Sequence, residues 1–150
     1  MKINYTVRPM TIADYDAVLQ LWQATEGVGL NESDDRNGIA FFLARNPGLS
    51  RVAVDGIRVV GAVLCGHDGR RGYLHHLAVA PAHRRGGLGR QLVTACLADL
   101  KRQGIAKCNL FLFADNAAGE TFWKHLGWMK RRDLNMMQMS LNESGAARVC

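Results

Sequence analysis

Several common signatures are missing from this chain, and each absence removes a class of protein. The four cysteines, Cys65, Cys96, Cys108 and Cys150, are scattered, with no C-x-x-C pair. Neither a zinc site nor a disulfide framework is expected. The first three sit in apolar patterns and read as small buried hydrophobes. No apolar run reaches the roughly 18 to 20 residues that span a bilayer. The N-terminus, MKINYTVRP, lacks the apolar core of a signal peptide, so cytoplasmic residence is the default expectation. There is no internal repeat, no low-complexity stretch, and no run of aromatics interleaved with basic residues. A net charge of +6 therefore carries no nucleic-acid motif with it. What remains is ordinary globular composition. At 48% hydrophobic and 21% charged residues a disordered chain is excluded, and 150 residues suit one core, expected over 1–141 with a polar, disordered tail at 142–150.

The chemistry-bearing stretch is LAVAPAHRRGGLGRQL, Leu77 to Leu92. It starts apolar, breaks at Pro81, turns basic, becomes glycine-rich, and from Leu88 takes helical spacing through Leu92, Cys96 and Leu100. The reading is strand, loop, helix. The first turn of a helix leaves about four N–H groups unpaired. Those donors, the positive end of the helix dipole, and Arg84, Arg85 and Arg90 make an anion site, with Gly86, Gly87 and Gly89 permitting close approach. A phosphate or pyrophosphate is implied; the alternative is a basic helix cap that binds nothing. A P-loop is excluded because no Lys-Ser or Lys-Thr follows the glycines, and the order G-G-x-G does not fit a dinucleotide fingerprint.

The rest of the chain supplies a frame. Ile3–Arg8 alternates as a strand. Thr11 caps a helix, with Asp14 in the capping-box position, and Ile12, Tyr15, Val18, Leu19 and Trp22 share a face up to Gly27 and Gly29. Asn31–Asn46 is a second helical segment. Leu49–Val54, Arg58–His67 and Tyr73–Val79 are strands joined by tight turns, Asp55-Gly56 being a hairpin signal, so they run antiparallel. Arg58–His67 is expected to be central, with Val60, Ala62 and Leu64 on one face and Val59, Val63 and Cys65 on the other. A helix at about 87–103 leads to a strand at Cys108–Phe113, reached by a crossover and hence parallel. A helix capped at Asp115-Asn116 follows, then a strand pair at Trp128–Arg132 and Asn135–Leu141.

Arg84-x-x-Gly87-x-Gly89, preceded by L-A-V and a proline, resembles the coenzyme A loop of the GNAT acyltransferase superfamily. NAAGETFWKHLGW resembles that family's second signature. The order β-α-α-β-β-β-α-β-α-β-β matches over about residues 3 to 141, closest to small bacterial YpeA-like acetyltransferases. The resemblance implies an α/β fold with a mixed, mostly antiparallel sheet of six to seven strands and about four helices. It also implies an acetyl-coenzyme A-dependent N-acetyltransferase in which a primary amine, of a small molecule or a protein, attacks the thioester directly. No metal, nucleic acid or membrane is implied; a homodimer through the last strands is common in the family. A non-catalytic coenzyme A-binding sensor is the alternative.

Under that resemblance, main-chain groups of Leu77, Ala78 and Val79 pair with the pantetheine arm. N–H groups from Arg85 through Leu88 to Arg90 hold the pyrophosphate beside Arg84. Asn116 contacts the pantetheine or only caps its helix. Family bases lie on the strand before the loop, which points to His75 and Tyr73. Alternation places Tyr73, His75, Leu77 and Val79 on one face and His76 on the other, unless a bulge swaps the histidines. Where many members carry an acid Tyr, this chain has Phe122-Trp123, and indole cannot give up its proton. Either Trp123 only lines the pocket, or water or Tyr73 supplies the acid. Glu26, Glu32, Asp34 and Asp35 border the acceptor side. They either favour a cationic amine or merely complement helix dipoles.

Overall fold

A computed structural model of the chain describes residues 5–142. Five strands, β1 (Thr6–Pro9), β2 (Arg51–Asp55), β3 (Arg58–His67), β4 (Gly72–Val79) and β5 (Cys108–Leu110), form one sheet in sequence order. All neighbours are antiparallel except β4 and β5, which run parallel because a helix connects them. The helices are α1 (Tyr15–Gln23), α2 (Arg36–Arg45), α3 (Leu88–Arg102) and α4 (Ala117–His125).

The sheet is buried on both faces. On one, Val18, Leu21 and Trp22 of α1 and Ile39 of α2 meet Val52, Ala62, Leu64 and Ala78. On the other, Leu88, Leu92, Val93, Cys96 and Leu100 of α3 and Trp123 of α4 meet Ala53, Val63, Cys65 and Leu74. The four-residue spacing of α3 thus becomes its buried stripe. As expected, β3 is central. Its alternation, however, is broken. Ala53 pairs with Gly61 but Val54 with Val59, so Val60 is an extra residue. The bulge turns Val60 to the α3 face and Val59 to the α1 face, reversing the sides expected for these two.

Three anchors fix the elements that carry the site. Asp99 of α3 pairs with Arg51 of β2 and Arg102. A 3-10 turn, Pro81–His83, places His83 Nε2 3.3 Å from Asp55 Oδ2 and its ring against Tyr5, tying the end of β4 to the β2–β3 hairpin. At the other end, the Thr11 capping box opens a 3-10 turn (Ile12–Asp14) before α1, and Asp14 accepts a two-pronged bond from Arg8 at 2.8 Å. Arg8 holds the Asp14 carboxyl below the usual carboxylate range, with the Thr11 amide assisting and burial opposing. Its contribution is present above the unfolded pKa, near 4, and is lost as pH falls through the lowered folded value. Asp14→Asn should cost about 1 kcal/mol at pH 7, because Arg8 is partly exposed, and should flatten the acid limb of stability. Urea midpoints at pH 7 and pH 3 check both points.

The expected last strand pair is not formed. Residues 128–142 carry no strand, and β5 stops at Leu110 rather than Phe113, giving five strands instead of six or seven. Neither 108–113 nor 128–141 contains a Val, Ile or Thr, and the unbranched methionines of the second stretch lack the side chains that favour pleated backbone. Arg131 and Asp133 close a tight bend inside it. The first strand's Ile3 and nearly all of the tail expected from 142 onward lie outside the described residues.

Candidate active site

β4 and β5 stay together for only three residue pairs, Gly72–Leu74 against Cys108–Leu110. Beyond them the strands part and a cleft of about 2070 Å³ opens. One end is walled by the Arg84–Arg90 loop and α4; the other is bordered by the connection between α1 and α2.

The loop end is a set of unpaired donors. Among the described residues, the amides of Arg85, Gly86, Gly87, Leu88, Gly89 and Arg90 have no protein acceptor; the first bond of α3 runs from Gln91 N–H to Gly87 O. Arg85 (φ +69°) and Gly87 (φ +80°) both sit in the left-handed region, the arrangement in which successive N–H groups turn to a common point. Gly89 serves packing instead: a Cβ there would stand 3.3 Å from Phe122 Cζ of α4. Arg84 folds back, its Nε donating to Val79 O at 2.9 Å.

Along β4 the main chain alternates. Ala80 N–H donates to Val60 O on β3, so two-residue periodicity turns the groups of Ala78 toward β3 as well. Those of Leu77 and Val79 turn to the open side, with Val79 O taken by Arg84. Of the three residues expected to line up beside a pantetheine arm, Ala78 has its main-chain groups directed away from the cleft.

The histidines depart from simple alternation. His75 pairs with Leu64 and Ala78 with Ala62, which leaves two residues, His76 and Leu77, opposite Val63. His76 is the bulge, at φ +55°. As a result Leu74, Leu77 and Val79 face α3, whereas Ala78 and His75, whose ring meets Phe42 of α2, face the other side. The expected grouping of Tyr73 and His75 with Leu77 and Val79 is therefore wrong. The bulge does not exchange the histidines; it brings both to the α1–α2 side. Trp22 Nε1 donates to the His76 carbonyl at 2.9 Å, and its ring edge meets the imidazole at 5.1 Å. The His76 Nε2 lies 3.0 Å from both Asp34 carboxylate oxygens.

His75 lines the cleft, in a triangle of near-parallel rings with Tyr73 and Phe111 whose centroids are 6.1 to 6.4 Å apart, and edge-on to Phe42. Burial, reinforced by His76 and opposed by Asp34, lowers its pKa below the ordinary histidine value, so its ring is neutral at neutral pH. The Tyr73 ring is parallel to that of His75 at 6.1 Å and is not part of the cleft lining. Asn116 accepts from Gly119 N–H at 2.9 Å as the cap of α4, and its Nδ2 would sit 3.0 Å from a Cβ on Gly27, so the α1–α2 connection closes onto α4 there. Trp123 lines the cleft and is held edge-on by Phe122 and Trp128. Among the acidic four, Asp35 caps α2, while Glu26, Glu32 and the largely buried Asp34 line the cleft.

Cys65 and Cys96 are buried in the core and Cys108 is half-buried, its thiol pushed up to about 12 chiefly by burial. No group of three or more potential metal ligands occurs among the described residues, and no helix there is long and apolar enough to cross a membrane. Sequence reasoning passed over the link between Asp34 and His76. They lie 42 positions apart, and no spacing rule connects a 3-10 turn to a strand bulge.

Over residues 15–128 the chain matches the Acetyltransferase (GNAT) family. It is 31% identical over 110 residues to N-alpha-acetyltransferase 30 of Schizosaccharomyces pombe, covering 70% of this chain and 73% of that protein. Among solved structures it is similar to Ard1 from Thermoplasma volcanium, with a TM-score of 0.73 at 21% identity over 83% of this chain and 82% of the other. It is also similar to the PaiA N-acetyltransferase of Thermoplasma acidophilum in complex with coenzyme A, with a TM-score of 0.71 at 17% identity over 82% and 88%. A sheet that splays beside an unpaired donor loop, in a chain so related, leads to one assignment: this protein belongs to the GNAT family of acetyltransferases.

Proposed function

We propose that the protein transfers an acetyl group from acetyl-coenzyme A to a primary amine, of a small molecule or a protein amino group, by direct attack of the amine on the thioester. The observation that carries this reading is the run of six amides from Arg85 to Arg90 without a protein acceptor. An oriented set of N–H groups at a helix N-terminus, flanked by Arg84, Arg85 and Arg90, suits a pyrophosphate. The open main-chain groups of Leu77 and the N–H of Val79 suit the amides of a pantetheine arm added as a strand, and an N–H there can serve the oxyanion. The coenzyme A held by the PaiA protein supports the choice of co-substrate, and the name of the fission-yeast relative supports an amine acceptor.

The remaining side chains take parts accordingly. His75, neutral and facing the cleft, accepts a hydrogen bond from water at the amine end, with Tyr73 setting the plane of its ring. Asn116 steadies the start of α4, and Trp123 forms an apolar wall. Because Trp123 supplies no acid, the thiolate leaves unprotonated or takes its proton from water; a thiol of pKa about 8.5 is a fair leaving group.

Isothermal calorimetry should show acetyl-coenzyme A binding with a Kd on the order of micromolar, about −8 kcal/mol. A panel of small amines, lysine side-chain analogues and peptides with free α-amino groups should show thiol release with at least one acceptor. Absence of binding overturns the reading. Binding without any turnover leaves the sensor, which the missing hydroxyl at position 123 favours.

A further inference from the structure

We infer that Asp34 and His76 form the proton-accepting dyad of the amine end of this cleft, His76 taking the proton of the incoming ammonium and Asp34 holding its ring. The inference rests on the acetyltransferase reading above and names the base within it.

The geometry is specific. A strand residue with φ +55° is uncommon for anything but glycine, and here it pulls the histidine out of the strand's alternation. Two contacts hold the strained position: Trp22 Nε1 bonds the His76 carbonyl, and the carboxylate of Asp34 meets its Nε2. Asp34 is itself fixed. It is 7% exposed, it accepts from Asn31 N–H at 3.0 Å within a capping box, and its carbonyl accepts from the Tyr15 hydroxyl at 2.6 Å. An anchored carboxylate at Nε2 selects the tautomer with the proton on Nε2, leaving the lone pair on Nδ1. Among the described residues Nδ1 has no protein partner, yet it is not sealed from solvent. His76 lines the same cleft as Glu26 and Glu32, whose charges favour a cationic acceptor. His75 has no carboxylate partner.

The step balances without further reactants. Nδ1 of His76 takes one proton from R–NH₃⁺, and His76 becomes an imidazolium beside Asp34. The freed amine forms a C–N bond to the thioester carbon, and the C–S bond then breaks. The second nitrogen-bound proton passes to water, which protonates the departing thiolate, and His76 returns its proton to water. The products are the amide, free coenzyme A thiol and one proton. His76 would be the catalytic residue, and Asp34 a positioning residue.

Two measurements test this. Long-range 1H–15N spectra of the histidine rings, assigned by loss of a signal in His76→Asn, should show neutral His76 protonated on Nε2; protonation on Nδ1 overturns the dyad. Asn tolerates the left-handed backbone, so His76→Asn should fold; Asp34→Asn, which keeps a neutral acceptor, is the second variant. With the fastest amine of the panel, His76→Asn should lower kcat about 10²- to 10³-fold, and Asp34→Asn by about tenfold or more. Acetyl-coenzyme A affinity should be unchanged in both. Raising the pH supplies free amine directly, so the His76→Asn deficit should shrink toward the acceptor's own pKa, which a purely structural role would not produce. The groups around His76 whose titration enters that profile are Asp34 from the turn before α2, Tyr15 behind it, His75 on its own strand, and Glu26 and Glu32 in the cleft. Wild-type turnover retained by both variants overturns the dyad alone. A wild type that turns over no amine overturns the acetyltransferase reading and the dyad with it.

Discussion

Trp22→Ala is expected to lower the unfolding free energy by about 3–5 kcal/mol, the loss typical of deleting a buried aromatic side chain. Trp22 is 1% exposed and is among the largest fully buried side chains. It packs from α1 onto the sheet face formed by Val52, Ala62, Leu64 and Ala78. The same indole also bonds the His76 carbonyl at 2.9 Å, so it joins core and site. Trp22→Phe separates the two contributions. It retains most of the apolar volume and leaves that carbonyl without its donor, at a cost of about 1 kcal/mol for the hydrogen bond beyond the lost packing. Urea midpoints should rank wild type above Phe and Phe above Ala. Acetyl transfer in the Phe variant should fall by more than its stability suggests, because the bulge loses a clamp. If Ala and wild type unfold at the same urea concentration, this picture of the core is wrong.

Gly87→Val is expected to weaken acetyl-coenzyme A binding by about 10- to 100-fold. The left-handed conformation at φ +80° costs a non-glycine residue roughly 1–2 kcal/mol, more with a branched Cβ, and each 1.4 kcal/mol is a factor of ten. No atom lies within 4 Å of where its Cβ would be, so the effect comes from conformation and not from collision. Gly86→Ala is the companion. Its backbone is not left-handed and its Cβ position is equally open, so the free protein should melt at the wild-type temperature. Only a ligand seated against the loop gives that methyl group something to strike. Calorimetry with acetyl-coenzyme A should therefore show reduced affinity for both variants. Equal affinity in all three proteins would remove the pyrophosphate from this loop.

Much of this was legible in the residues. The stripe Leu88, Leu92, Cys96, Leu100 announced α3; Asp55-Gly56 announced the hairpin; and Asn116 does cap α4. These signals are local: a period, a turn dipeptide, a side chain reaching three residues ahead. What escaped depends on partners far away in sequence. A bulge among the histidines is open as an alternative in the sequence, but its place at His76 and the bulge at Val60 are set by what lies across from them, and nothing in their own neighbourhoods marks the unpaired residue. Trp128–Arg132 and Asn135–Leu141 are expected as a strand pair, yet the methionines there are exposed and no neighbouring edge pairs with them. In the loop the residues were readable from glycine and arginine content, whereas the proposed amine end required a contact between positions 34 and 76.

The extra residue at His76 has a corollary for how β4 can vary. It acts as a phase shifter. Upstream of it, odd-numbered positions look toward α1 and α2; downstream, odd-numbered positions look toward α3. Deleting His76 would remove the bulge and leave Leu77 alone opposite Val63, so Leu77 and Val79 would still face α3 and Ala78 the other side, in one regular alternation. The loop after β4 would keep its register, because Ala78 would still pair with Ala62. What that shortening removes is the imidazole beside Asp34, whereas a single insertion or deletion elsewhere in β4 would turn every side chain beyond it to the opposite face.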